Sequence, residues 1–152
     1  MSNETQNFAR AEMLIRKPVA EVFAAFIDPE ITTQFWFTHS TGRLDENSAV
    51  EWTWEMYQHT SPVTIKAIEP NKRIVIEWGN YTTATAVEWT FKSIEGKGTF
   101  VSITNSGFKG SSDDIMKQVR DSTEGFTLVL AGLKALLEHD VLLNLVGDRF
   151  PA

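Results

Sequence analysis

Three histidines, four carboxylates in strand-like runs and five tryptophans are the side chains from which this chain could build chemistry. His39, His59 and His139 lie far apart, none at a metal-ligand spacing from another histidine, and there is no cysteine. No zinc site, thiolate chemistry or disulfide framework is therefore expected. His39 closely follows Phe35-Trp36-Phe37, where it would serve as a general acid or base at a pocket mouth, or simply stand in an exposed loop. His59 falls at a turn, and His139 falls in a last helical turn, where a cation suits the helix dipole. Glu51, Glu55, Glu77 and Glu88 could pair for acid–base work. Their alternation with apolar residues instead places them on a wet face, beside Lys66 and Lys92. Nucleophile-elbow, P-loop and dinucleotide signatures are absent, so no catalytic residue, metal or cofactor is assigned.

The tryptophans are the better candidates. Val50, Trp52, Trp54 and Met56 alternate with polar positions, as do Ile74, Ile76 and Trp78, and Val87, Trp89 and Phe91. Side chains two apart share a sheet face, so one face is lined with indoles. Trp52, Trp54, Trp78 and Trp89 are expected to form the wall of an apolar cavity, with Met56 continuing it and Trp36 and His39 at its mouth. Asn105, in register with Thr99, Val101 and Ile103, is the polar residue expected on that face. Phe126 and Leu130 would meet it from a helix. The same indoles could instead fill the space as plain core.

The elements that must position these residues can be read in order. Phe8 to Arg16 is a strand, stopped by Lys17-Pro18. Val19, Val22, Phe23 and Phe26 then repeat at helical spacing. Asp28-Pro29-Glu30 caps a second short helix, running to about Trp36. Strands are expected at roughly 41–44, 49–57, 63–69, 73–78, 83–94 and 99–106, the last two joined by a Gly96-Lys97-Gly98 hairpin turn. Ile115, Val119, Ser122, Phe126, Leu130, Leu133 and Leu137 form one stripe of a helix capped by Ser111 or Ser112 and ending near His139-Asp140. Gly125 and Gly132 sit inside it, either as packing positions or as a close approach at the pocket. Val141 to Ala152 is an apolar tail expected to dock. Six or seven strands make a sheet about 30 Å wide, whereas a helix with side chains is about 10–12 Å across. A sheet that twists around the helix solves the mismatch and leaves a tapering space. The fold class is therefore α+β, a curved antiparallel sheet wrapped around a long C-terminal helix, with two short helices after the first strand. The chain reads as a single domain over 1–152, with its core at about 8–140.

This layout resembles the helix-grip fold of the START and birch-pollen-allergen-like (SRPBCC) superfamily. It is most similar to the bacterial stand-alone branch named after the activator of heat-shock-protein-ninety ATPase. The residues that carry the resemblance are Lys17-Pro18-Val19-Ala20-Glu21-Val22-Phe23, Asp28-Pro29-Glu30, Gly98-Thr99-Phe100-Val101-Ser102-Ile103, and Glu124-Gly125-Phe126 through Gly132-Leu133-Lys134-Ala135-Leu136-Leu137-Glu138. Phe126 stands where that family often has tryptophan, and the tail runs past its usual end. The resemblance implies a cavity for a small apolar or amphipathic ligand. It also implies two rivals, a cyclase- or hydrolase-like enzyme, for which His39, Tyr57 and Asn105 are the acid–base candidates, and a chaperone-regulating module.

Composition bounds the partners. The net charge of −6 and pI near 5.0 disfavour nucleic acid and anionic membrane surfaces. No run approaches the ~20 apolar residues of a membrane span. The opening MSNETQNFAR lacks the charge and apolar pattern of a secretory leader, so a cytoplasmic location is expected. Edge strands and the apolar tail leave room for a homodimer.

Overall fold

The computed structural model describes residues 7–80 and 82–151. Met1 to Gln6, read above for a leader, and Ala152, at the end of the tail, lie outside the described residues. The chain starts with strand β1 (Phe8–Ile15), then helices α1 (Val19–Ile27) and α2 (Pro29–Thr32). Strands β2 (His39–Ser40), β3 (Ala49–Trp54), β4 (His59–Glu69), β5 (Arg73–Trp78), β6 (Thr85–Ile94) and β7 (Gly98–Ser106) follow. The long helix α3 (Ser112–His139) and a final turn of helix, α4 (Leu145–Asp148), complete it. The seven strands form one sheet in the order β1-β7-β6-β5-β4-β3-β2, with every neighbouring pair antiparallel. This is the expected α+β helix-grip architecture, with the long helix packed on the sheet.

Local chemistry sets the element ends. The Asp28 side chain accepts from the Glu30 backbone N–H at 3.0 Å and Pro29 opens α2, since proline has no N–H to lose in a first turn. Ser111 and Asp114 cap α3 reciprocally, each side chain bonding the other's backbone N–H at 3.1 Å. The β6–β7 hairpin closes with the Lys97 N–H on the Ile94 carbonyl at 3.0 Å. At Gly98, φ is +135°, and a Cβ would lie 2.3 Å from the Ile15 carbonyl oxygen. Only glycine lets β7 begin this close to the end of β1.

The inner face is formed by Val50, Trp52 and Trp54 on β3, Ile74 and Ile76 on β5, Val87, Trp89 and Phe91 on β6, and Val101 and Ile103 on β7, all buried. The carboxylates lie outside, as expected. Lys66 pairs with Glu77 at 3.5 Å, and Arg73 bridges Glu69 at 3.0 Å and Glu88 at 2.5 Å. A register shift between Ile65 and Ala67 interrupts the β4–β5 ladder; an extra residue of this kind bends a strand and increases its twist.

Several boundaries differ from expectation. Helix α2 ends at Thr32 rather than near Trp36. Strand β4 begins at His59 rather than 63, because His59 to Pro62, expected as a turn, pair with Trp54 to Glu51 of β3. The second strand is His39–Ser40 rather than 41–44, because Ser40 pairs with Trp52 and Gly42 already lies in a turn. The next strand stops at Trp54, where Glu55–Tyr57 winds into one 3-10 turn closed by Gln58 in the left-handed region. Met56 therefore leaves the alternating series and is 40% exposed.

Candidate functional site: a groove under the first half of α3

The burial of α3 is uneven along its length. Phe126, Val129, Leu130, Gly132 and Leu133 are buried, whereas no residue of its first half is. The helix therefore packs against the sheet with its second half and stands off with its first. Two adjoining lobes, about 670 Å³ and about 370 Å³, occupy that gap, within the range of small-molecule sites. They share Trp78, Phe108, Gln118 and Asp121 as walls.

The larger lobe is bounded by Trp54, by Tyr57 of the 3-10 turn, by His59 and Ser61 of β4, by Thr85 of β6, and by Val146 and Phe150 of the tail. The smaller lobe runs deeper, against Trp36, Asn105, Ser122, Gly125, Phe126 and Val129. The tail is held over the groove at several points. The Tyr57 hydroxyl donates to the Val146 carbonyl, with the Gly147 carbonyl at 3.3 Å. Phe150 meets the Tyr57 ring edge-on at 6.0 Å. Arg149 pairs with Glu124 of α3; this hydrogen bond holds the Glu124 carboxyl below the usual carboxylate range and raises the Arg149 guanidinium above its own.

The groove has one polar corner. The Asn105 side chain, 2% exposed, donates from Nδ2 to Thr85 Oγ1 at 2.9 Å and to the Ala86 carbonyl at 2.8 Å. Its Oδ1 accepts from the Ser122 hydroxyl at 2.9 Å. The Trp78 indole N–H also donates to Thr85 Oγ1, at 3.1 Å. The Trp89 N–H is different. It is buried with no partner among the described residues, its ring standing 5.8, 6.0 and 6.3 Å from those of Phe26, Trp36 and Phe126, which offer no conventional acceptor.

The candidate residues separate into three groups. Trp36, Trp54, Trp78, Asn105 and Phe126 line the lobes. Trp52, Trp89 and Leu130 line neither lobe; at 1%, 1% and 0% exposure they form solid core behind the groove. Trp36, expected at the mouth, sits at the centre of the aromatic cluster, with ring centroids 5.0 Å from Trp52, 5.8 Å from Trp78 and 5.7 Å from Phe126. His39 and Met56 are exposed and line neither lobe. His39 opens an edge strand opposite Thr53, and Met56 is carried away by the 3-10 turn. Among the described residues no cluster of three or more metal-ligating side chains forms.

Sequence reading overlooked Thr85, Phe108, Gln118, Asp121, Val146 and Phe150 as wall residues. Thr85 had a signal, because it precedes Val87 by two and so belongs to the inward series. Ser122 had one as well, as the single polar member of the α3 stripe. Phe108 and the tail residues had none, since their positions depend on how loops fold back.

A family model described as Activator of Hsp90 ATPase homolog 1-like protein matches residues 16–138. The chain belongs to this family. No curated protein matches it. Among solved structures it is similar to protein SSP2350 from Staphylococcus saprophyticus, with 29% identity, a TM-score of 0.76, and coverage of 90% of this chain and 95% of that one. It shares its fold with MLL2253 from Mesorhizobium loti, with 18% identity, a TM-score of 0.77, and coverage of 89% and 99%. It does so too with the Aha1 dimer from Colwellia psychrerythraea, with 15% identity, a TM-score of 0.71, and coverage of 87% and 96%. The Activator of Hsp90 ATPase homolog 1-like match ends at residue 138. Val146 and Phe150 therefore wall the groove from outside the matched span.

Proposed function

We propose that this protein binds a small apolar or amphipathic molecule in the groove between the sheet and the first half of α3. The carrying observation is the stand-off of that helix half, which exposes Trp36, Trp54, Trp78, Phe108 and Phe126 to one concave space with a few polar groups. That combination of apolar wall and sparse polar anchors is what small-molecule sites use. Ligand binding is the role typical of such domains. The acid–base reading finds less support. His39 lies outside both lobes, the Tyr57 hydroxyl holds the tail, and the Asn105 amide is engaged on both its atoms.

Titration with the neutral fluorophore N-phenyl-1-naphthylamine tests the proposal. Saturable one-to-one uptake with energy transfer from tryptophan is expected, and native mass spectrometry of freshly purified protein should show a co-purified small molecule. Linear, unsaturable uptake would remove the reading. The solved Colwellia relative is a dimer; for this chain a homodimer is the matching proposal, to be checked by sedimentation velocity, a single monomer species counting against it.

A further inference from the structure

The polar corner has a directionality that follows from which atoms can donate. An indole N–H can only donate, so Trp78 Nε1 gives its proton to Thr85 Oγ1. The Asn105 amide could in principle be turned either way, but Nδ2 also lies 2.8 Å from the Ala86 carbonyl, which can only accept. This fixes Nδ2 as the atom facing both Ala86 and Thr85 and forces the Ser122 hydroxyl to donate to Oδ1. The Thr85 oxygen therefore accepts twice and both of its lone pairs are in use. What it has left is its own proton, for which no acceptor is present among the described residues, and Thr85 lines the larger lobe. Accepting two hydrogen bonds also polarises that O–H and strengthens it as a donor.

We propose that Thr85 is the specificity-determining donor of the groove, recognising a neutral hydrogen-bond acceptor, such as a ketone or ether oxygen, on an apolar frame. This deepens, and rests on, the ligand-binding reading above. A donor-only group meets a saturated oxygen at this point and is rejected. An anionic acceptor is disfavoured by Asp121, which lines both lobes, and by the net charge of −6. Asn105 and Trp78 act through Thr85, positioning its proton.

Two probes of matched shape test this, 2-acetonaphthone, which carries a carbonyl, and 2-ethylnaphthalene, which carries none. Infrared spectroscopy of the bound ketone should show the carbonyl stretch below its position in hexane, as for a hydrogen-bonded carbonyl. Thr85→Val should move the stretch off its parent position, to the hexane value or to that of a contact with the Trp78 N–H it frees, and weaken ketone binding about three- to tenfold, the worth of one net hydrogen bond. The valine variant should lose more affinity for the ketone than for the hydrocarbon, and Thr85→Ser should restore the parent's preference for the ketone. A hexane-like stretch in the parent protein with both probes bound overturns the proposal and leaves the groove reading standing. A stretch that stays at its parent position in the valine variant also overturns it, because another donor is then responsible in the parent. Binding of neither probe removes both readings. Should the valine variant not fold, Thr85→Ala carries the same comparison.

Discussion

Asn105 shows how tightly one buried amide constrains its surroundings. Its Nδ2 faces two acceptors and its Oδ1 faces one donor, an arrangement no isosteric side chain reproduces. Asn105→Asp places a carboxyl oxygen against the Ala86 carbonyl, which is repulsive unless that oxygen carries a proton. The introduced carboxyl therefore has a raised pKa in the folded state. Its penalty is absent below the ordinary carboxylate range and grows as pH rises through the raised value. Thermal melts of that variant should be closest to the parent near pH 4 and fall about 2 kcal/mol or more below it at pH 7. Glu138 behaves in the opposite sense. Burial pushes its pKa up, but the Arg16 backbone N–H at 2.8 Å and the Lys134 ammonium at 2.6 Å outweigh this, and the carboxyl sits below its usual value. Lys134 also donates to the Leu14 carbonyl at 2.8 Å, so the cluster ties the end of α3 to the end of β1. A depressed folded value means that the stabilisation is present above about pH 4.3 and is lost as pH falls through the lower folded value. Glu138→Gln should cost about 1–3 kcal/mol at neutral pH and flatten the acid limb of the melting curve; an unchanged acid limb would show that another carboxylate controls it.

The element that makes the site is α3, and its two interior glycines have different roles. At Gly132 an added Cβ would lie 3.4 Å from the Phe35 carbonyl oxygen and 3.5 Å from Phe35 Cβ, so the buried half of the helix lies close against the segment after α2. At Gly125 an added Cβ meets nothing within 4 Å, and the residue borders the smaller lobe. The expectation of simple packing fits the first, and the pocket-side alternative fits the second. Gly125→Ala should raise stability by about 0.5–1 kcal/mol through helix propensity. Gly125→Leu should fill the smaller lobe and weaken N-phenyl-1-naphthylamine binding without lowering the melting temperature. A leucine variant that binds the probe as well as the parent would place the ligand elsewhere.

For the molecule as a whole, the tail decides how open the groove is. Val141, Leu142, Leu143 and Phe150 are 42%, 63%, 47% and 61% exposed, so the apolar part of the docking rests on Val146 against the core, beside the Tyr57 hydroxyl and the Arg149–Glu124 pair. Both are exposed or half-buried contacts, and the ion pair is screened by salt. Tyr57→Phe and Glu124→Gln should each increase hydrogen exchange across residues 144–150 and speed probe dissociation, with only a small change in global stability. Unchanged exchange in both variants would mean that the tail is held by other contacts.

Alternation at Val50 to Trp54, Ile74 to Trp78 and Val87 to Phe91 was enough to reveal the inner face, because side-chain direction in a strand is a local property of the backbone. The α3 stripe was equally legible, with its cap narrowed to Ser111 or Ser112, and together with element order it determined the helix-grip architecture. Local patterning could not tell a lining indole from a filling one. Trp52 and Trp54 share a face and a strand, yet one is sealed in the core and the other walls the groove. That separation depends on where α3 leaves the sheet, on the 3-10 turn that carries Met56 and Tyr57 outward, and on a tail held against Tyr57 and α3. Those are contacts between residues distant in sequence, set by competition for a shared volume, and only the tertiary structure decides them.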